Sequence, residues 1–216
     1  MTQPSPLESL FQAGRQITYR PREIIYRGGD TPSGIYYISS GRIKIYTLGK
    51  DGQESIALTL RAGDLLLSGW GVLGEVHEKY IEALELTTLL RISRGQFLRS
   101  CQTDTAIAFA VLQKTTQYMF MLIDRITIAD RRGAHSKITS YLAAISRQES
   151  RRSSARTSVK LKVSHYHIAR SVSLSRETVS RELGKLQQQG LIQKSNRSII
   201  VPNLAAMIAA ANSDLG

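Results

Sequence analysis

Apolar residues across positions 19–92 fall on every second place in short runs. Ile43 and Ile45 alternate with Arg42, Lys44 and Tyr46; Ile56, Leu58 and Leu60 alternate with Ser55, Ala57 and Thr59. A period of two sends one set inward and the other outward, as in a half-buried strand. Gly28-Gly29-Asp30, Ser40-Gly41, Lys50-Asp51-Gly52 and Ala62-Gly63-Asp64 separate these runs with residues that close tight turns. Many short strands at this spacing predict an antiparallel barrel or double-sheet roll. No amphipathic helix lies between them, so a parallel βαβ sheet is not expected.

The period changes after Asp104. Residues 104–131 contain no Pro or Gly, and Ala108, Leu112, Thr115, Met119, Leu122, Ile126 and Ala129 recur at alternating steps of four and three. That register is an a/d seam, which predicts a long helix pairing with its copy in a homodimer. Ile107, Val111, Tyr118 and Ile123 make a second apolar face, expected to cover the roll. Asp130-Arg131-Arg132-Gly133 ends the helix and reads as a hinge. A further helix follows with Ile138, Leu142 and Ile145 on one face, and then a polar, basic, serine-rich stretch, 147–158, reads as an exposed loop.

From Ser164 the pattern becomes compact. Ser164 caps a short helix, His165–Val172, with Ile168 and Val172 inward. Ser173-Leu174-Ser175 forms a three-residue turn, and Ser175 caps a second helix over 176–186. Val179, Leu183 and Leu186 are its buried stripe, while Arg176, Glu177, Ser180 and Arg181 occupy the opposite face. Gly190 stops this helix. Residues 192–201 read as a hairpin turning at Ser195-Asn196-Arg197-Ser198, a basic wing beside the helix pair. Helix, short turn and helix is the geometry that inserts a second helix into the major groove of DNA. Arg can bond guanine O6 and N7 there, and Glu can accept from cytosine N4.

Charge supports that reading. The chain of 216 residues carries 29 Lys and Arg against 17 Asp and Glu, a net +12. Residues 134–216 hold 13 basic and 4 acidic residues, whereas 1–133 hold 16 and 13. The excess sits with the helix pair, which points to a polyanion partner. With 42% hydrophobic and 21% charged residues the composition is globular, with room for one or two domains. No contiguous apolar run approaches the ~20 residues of a membrane span, and no secretory signal opens the chain, so a cytoplasmic protein without a membrane partner is expected. A single cysteine, Cys101, excludes an internal disulfide and any cluster needing several thiolates from this chain.

Other chemistry is thinly represented. Gly69-Trp70-Gly71-Val72-Leu73-Gly74 matches the G-x-G-x-x-G pattern, but no parallel strand precedes it and Arg94 stands where an acidic residue would. These glycines are read as a flexible loop lining a pocket, not as the phosphate cradle of a nucleotide-dependent enzyme. His77, beside Glu78 and Lys79, reads as a surface residue rather than a haem ligand, and His165 and His167 are spaced so as not to face each other. No nucleophile–base pair or carboxylate dyad stands out, so no catalytic residue, metal site or enzymatic activity is expected.

The chain resembles the Crp-Fnr superfamily of bacterial transcription regulators over nearly its whole length. Ser175-Arg176-Glu177-Thr178-Val179-Ser180-Arg181, with Leu186 and Gly190-Leu191-Ile192, is similar to the family's recognition helix. Gly28-Gly29-Asp30, Ile35-Tyr36-Tyr37-Ile38-Ser39-Ser40-Gly41-Arg42 and Gly63-Asp64 resemble its cyclic-nucleotide-binding-type barrel, and the heptad helix its dimerisation helix. The resemblance implies an α+β chain of three parts: a β-roll sensor over 1–103, a dimerisation helix over 104–132 and a winged helix-turn-helix domain over 133–216. It implies a homodimer on a two-fold symmetric double-stranded DNA operator, with RNA polymerase as a further partner. Arg176, Glu177, Ser180 and Arg181 would read base edges. Ser164, His165, Ser175, Thr178, Lys185, Lys194 and Arg197 would hold phosphates. The sequence departs from the family at Ser173, where glycine is more usual. It departs again in the sensor half, where Leu66-Leu67-Ser68-Gly69 replaces a Gly-Glu pair. No arginine stands in Val76-His77-Glu78-Lys79-Tyr80 to clamp a cyclic phosphate. Thr116-Gln117-Tyr118 likewise lacks the arginine with which the family's 2-oxoglutarate binders hold that ligand. No cofactor is therefore assigned; an unidentified effector would lie near Gly69, Trp70, Gly71, His77 and Lys79. A non-specific basic architectural DNA-binding protein is the remaining alternative.

Overall fold

The structure, a computed structural model, describes residues 4–153, 157–195 and 198–213. The chain forms two compact units, Met1–Phe120 and Met121–Gly216.

The first unit opens with α1 (Pro6–Gln12), whose cap Ser5 accepts the Glu8 N–H at 3.2 Å. Eight strands follow: β1 (Arg15–Tyr19), β2 (Ile24–Tyr26), β3 (Ile35–Ser40), β4 (Arg42–Leu48), β5 (Glu54–Arg61), β6 (Leu65–Leu66), β7 (Tyr80–Ala83) and β8 (Thr87–Ile92). They pair antiparallel throughout, in two four-stranded sheets ordered β1-β8-β3-β6 and β2-β7-β4-β5. The double-sheet roll read from the alternation is thus the observed fold. Between β6 and β7 lies α2 (Ser68–Leu73), and after β8 come α3 (Arg94–Thr103) and the start of α4 (Thr105–Asp130). Leu7 and Phe11 from α1, Phe97 from α3 and Val111 from α4 pack with Ile35, Tyr37, Leu65 and Ile92 of the first sheet.

Alternation misled at one place. Lys44 and Tyr46, expected to point to solvent, are buried. Lys44 Nζ lies 2.6 Å from Glu54 and 3.2 Å from Glu82, and 4.4 Å from the centre of the Tyr46 ring. Burial, followed by the charge of Glu82, pushes the Tyr46 hydroxyl up to about 12. The ammonium is tolerated without water because two carboxylates and a ring face surround it.

On α4, Ile107 and Val111 are buried, and Tyr118 bonds the backbone of Leu65, as expected of the roll-covering face. Ile123 departs from that expectation, being 48% exposed. Along the seam, Leu112, Thr115, Met119, Leu122, Ile126 and Ala129 are exposed and Ala108 is half-buried. Phe109 and Phe120 widen the exposed apolar stripe. Contrary to the expectation from contiguous apolar runs, α4 is by length and composition long and apolar enough to cross a membrane. Lys114, Asp124 and Arg125 interrupt it.

The second unit is built from the end of α4, α5 (Ala134–Ser153), β9 (Val159–Leu161), α6 (His165–Val172), α7 (Arg176–Gln188), β10 (Gln193–Ser195), β11 (Ser198–Val201) and α8 (Leu204–Ser213). The α4–α5 junction passes through Gly133 at φ +81°, a left-handed position that suits glycine. Ile138 and Leu142 of α5, Ile168 and Val172 of α6, and Val179, Leu183 and Leu186 of α7 form one core with Val201 and Met207. Residues 147–153, expected in a loop, instead continue α5. The wing hairpin β10–β11 is present, and β9 extends it to three strands in the order β10-β11-β9.

Candidate nucleic-acid interface

Two serines set the geometry. Ser164 Oγ accepts the His167 N–H at 3.1 Å and starts α6; Ser175 Oγ accepts the Thr178 N–H at 3.2 Å and starts α7. Between them Ser173 ends α6 at φ 56°, ψ 48°. This left-handed position suits glycine, so serine holds the turn at a local cost. An Arg125 guanidinium nitrogen donates to the Ser171 carbonyl at 2.7 Å and satisfies an acceptor at the end of α6.

The buried stripe of α7 is Val179, Leu183 and Leu186, as expected, and Arg176, Glu177, Ser180 and Arg181 are all exposed together. Glu177 is held below the usual carboxylate range by its own backbone N–H and the Ser175 hydroxyl. It therefore presents only acceptors, which matches a cytosine amino group and not a purine acceptor. His165 is pushed below the ordinary histidine range by burial first, and then by the positive charges of Lys194 and Arg176. The start of α6, the wing strand and the start of α7 thus converge in one positive field. Ser164, Ser175 and Lys194 are exposed; Thr178 is half-buried, and Ser175 Oγ donates to its hydroxyl at 3.1 Å. Arg197 lies outside the described residues.

Lys185 behaves differently from an unengaged phosphate ligand. Its ammonium lies 2.8 Å from Glu182, which also faces His135 Nδ1 at 3.2 Å and Arg181 Nε at 3.8 Å. Glu182 is only 4% exposed, and sequence reading missed it. Its i,i+3 spacing to Lys185 was a local signal of the ion pair. Nothing local announced His135, which is distant in sequence.

The effector residues fall in two places. Gly69, Trp70 and Gly71 lie in α2, a helical turn rather than the expected flexible loop. Gly71 is a packing residue: a Cβ there would stand 2.5 Å from Ile35 Cδ1 and 3.1 Å from the Phe97 ring. Arg94 Nε donates to the Gly71 carbonyl at 3.0 Å, and its guanidinium sits 5.9 Å from the centre of the Trp70 ring. His77 and Lys79 are exposed, and the His77 carbonyl accepts from the Gly29 N–H at 3.3 Å. Among the described residues, no group of three His, Cys, Asp or Glu side chains could hold a metal ion.

A β-roll followed by a long helix and a capped helix-turn-helix with a basic wing is the build of a DNA-binding transcription regulator. Residues 16–104 match the cyclic nucleotide-binding domain family and residues 136–210 the Crp-like helix-turn-helix domain family. The chain is 24% identical to the anaerobic regulatory protein of Pasteurella multocida over 217 residues, 94% of this chain and 73% of the relative. It is 25% identical to the fumarate and nitrate reduction regulatory protein of Salmonella typhi over 197 residues, 88% and 75% of the two chains. Its fold is similar to that of FixK2 from Bradyrhizobium japonicum, with a TM-score of 0.76 at 23% identity over 92% of this chain and 97% of that one. The chain belongs to the Crp-Fnr family of transcription regulators.

Proposed function

We propose that the protein is a homodimeric regulator that binds a two-fold symmetric operator sequence-specifically, without cyclic AMP and without enzymatic activity. The observation that carries this reading is the shared exposure of Arg176, Glu177, Ser180 and Arg181 on α7, which Ser175 caps as Ser164 caps the helix before it. Arg176, Glu177, Ser180 and Arg181 read base edges, while Ser164, His165, Ser175, Thr178, Lys185, Lys194 and Arg197 position the backbone. The exposed stripe of Leu112, Met119, Leu122 and Ile126 supports pairing of two α4 helices, and the two recognition helices of such a dimer enter successive major grooves, ~34 Å apart along the duplex. RNA polymerase is the further partner this reading implies, and the cytoplasm its compartment.

The sensor half does not fit a cyclic phosphate. Residues 76–80 offer no guanidinium, and the Glu78 carboxylate stands beside the Gly28-Gly29 turn. Leu67 occupies a left-handed position, φ 62°, within the stretch Leu66-Leu67-Ser68-Gly69, which offers no Gly-Glu pair. The test is selection from a random duplex library by the purified protein with no added effector. One enriched inverted repeat supports the reading. Equal recovery of all sequences would favour a non-specific architectural protein, and recovery only with a small-molecule extract would restore an effector.

A further inference from the structure

We propose that Glu182 is a positioning residue for DNA readout: a buried carboxylate that never meets the duplex, yet aims Arg181 and Lys185 at it. This rests on the DNA-binding reading above and names a residue that controls its specificity.

Glu182 lies on α7 beside the buried stripe of Val179, Leu183 and Leu186, where a carboxylate is out of place unless its charge is compensated. Three cationic or proton-bearing groups converge on it. Lys185 Nζ is at 2.8 Å and Arg181 Nε at 3.8 Å, both from the recognition helix; His135 Nδ1 is at 3.2 Å, from the first turn of α5. The hydrogen bond from Lys185, foremost, and that from His135 outweigh desolvation and hold the carboxyl below its usual range.

The arrangement is asymmetric in exposure. The Glu182 side chain is 6% exposed, whereas those of Arg181 and Lys185 are 65% and 55% exposed. Lys185 is held through its ammonium, which keeps two further N–H donors, and Arg181 through Nε, while both side chains stay mostly exposed. Arg181 meets the carboxylate through Nε, which leaves its two terminal nitrogens for a guanine edge. His135 fixes the carboxylate from outside the helix, so the aim of both cations is referred to α5 and not only to α7 itself. Anchoring lowers the rotamer entropy that two flexible cations would otherwise lose on binding.

The charge sign makes the role separable from a structural one. Glu182→Gln keeps size and packing but removes one negative charge next to a polyanion site. A purely structural residue would weaken all duplexes alike through loss of folded protein. A positioning residue gives a split: affinity for the selected inverted repeat falls about tenfold, while affinity for an unrelated duplex at the same salt is unchanged or rises two- to threefold. In an Arg181→Ala/Lys185→Ala background, Glu182→Gln changes the ratio of the two affinities by less than about twofold, because its targets are gone. His135→Gln, which leaves α7 intact, lowers the ratio about threefold and serves should Glu182→Gln fail to fold.

A ratio unmoved by both Glu182→Gln and His135→Gln overturns the proposal, as does an equal fall in the double-alanine background. If Arg181→Ala alone leaves the ratio unchanged, base reading by Arg181 fails and this inference with it. If Arg181→Ala lowers the ratio and Glu182→Gln does not, only the positioning role falls.

Discussion

Lys114 Nζ lies 2.9 Å from Oδ1 of Asp64, a carboxylate with no exposed surface. The pair joins α4 to the turn before β6, where Asp64 also accepts the Arg61 N–H at 3.0 Å. One turn further along α4, the Tyr118 hydroxyl accepts from the Leu65 N–H at 2.8 Å and donates to the Leu65 carbonyl at 3.1 Å. A single helix face thus satisfies both backbone groups of a buried strand residue and the charge beside it. Lys114→Met leaves that carboxylate without its ammonium and should cost about 2–3 kcal/mol in urea unfolding. Adding Asp64→Asn should cost less than the two single changes together. Additive costs would mean that the two side chains are energetically independent.

Ser173 holds a left-handed conformation that costs a non-glycine residue about 1 kcal/mol. Ser173→Gly should therefore stabilise the second unit by about 0.5–1 kcal/mol, the relief of strain exceeding the added flexibility of the unfolded chain. Ser173→Val should destabilise it. Thermal unfolding of the three proteins orders them, and a glycine variant that melts lower than the parent contradicts the turn geometry.

Gly71 and Gly69 make a matched pair in α2. A methyl group at Gly71 meets Ile35 and Phe97, whereas nothing stands within 4 Å of one at Gly69. Gly71→Ala should cost about 1–3 kcal/mol through overpacking, and Gly69→Ala should be neutral or slightly stabilising because alanine favours a helix. Similar effects at both sites would return this segment to an open loop.

His165 is neutral at pH 7 because burial, Lys194 and Arg176 all disfavour its protonated form. A phosphate placed among these groups cancels their field and raises the histidine toward its usual range, so binding takes up a proton. Affinity for DNA should accordingly rise as pH falls from about 8 to about 6, through the ordinary histidine value near 6.5. His165→Gln should flatten that dependence while leaving the affinity at pH 8 nearly unchanged. Titrations showing the same pH slope in both proteins would remove His165 from the phosphate contacts.

The roll, the heptad helix and the helix-turn-helix were legible because each is announced by local signals: a period of two, a seven-residue register, and two serine caps flanking a short turn. What stayed hidden depended on partners far along the chain. Lys44 is buried because Glu54 and Glu82 arrive from neighbouring strands, and alternation alone places it in solvent. The glycines at 69–74 suggested a loop, yet Gly71 is required by the closeness of Ile35 and Phe97. In the candidate interface the exposed readers of α7 followed from its buried stripe. Glu182 and His135 did not, since their meeting depends on how α5 packs against α7.

Of the four strands of the first sheet β8 comes last in sequence, yet it lies between β1 and β3. During synthesis those two earlier strands wait with unpaired edges until Ile92 has left the ribosome, because neither has the other as a neighbour. Closure of the roll is consequently a late, non-local event, slow compared with the short-range pairing of α6 and α7. A nascent chain stalled before Thr87 exposes two strand edges at once, each a template for pairing with another chain.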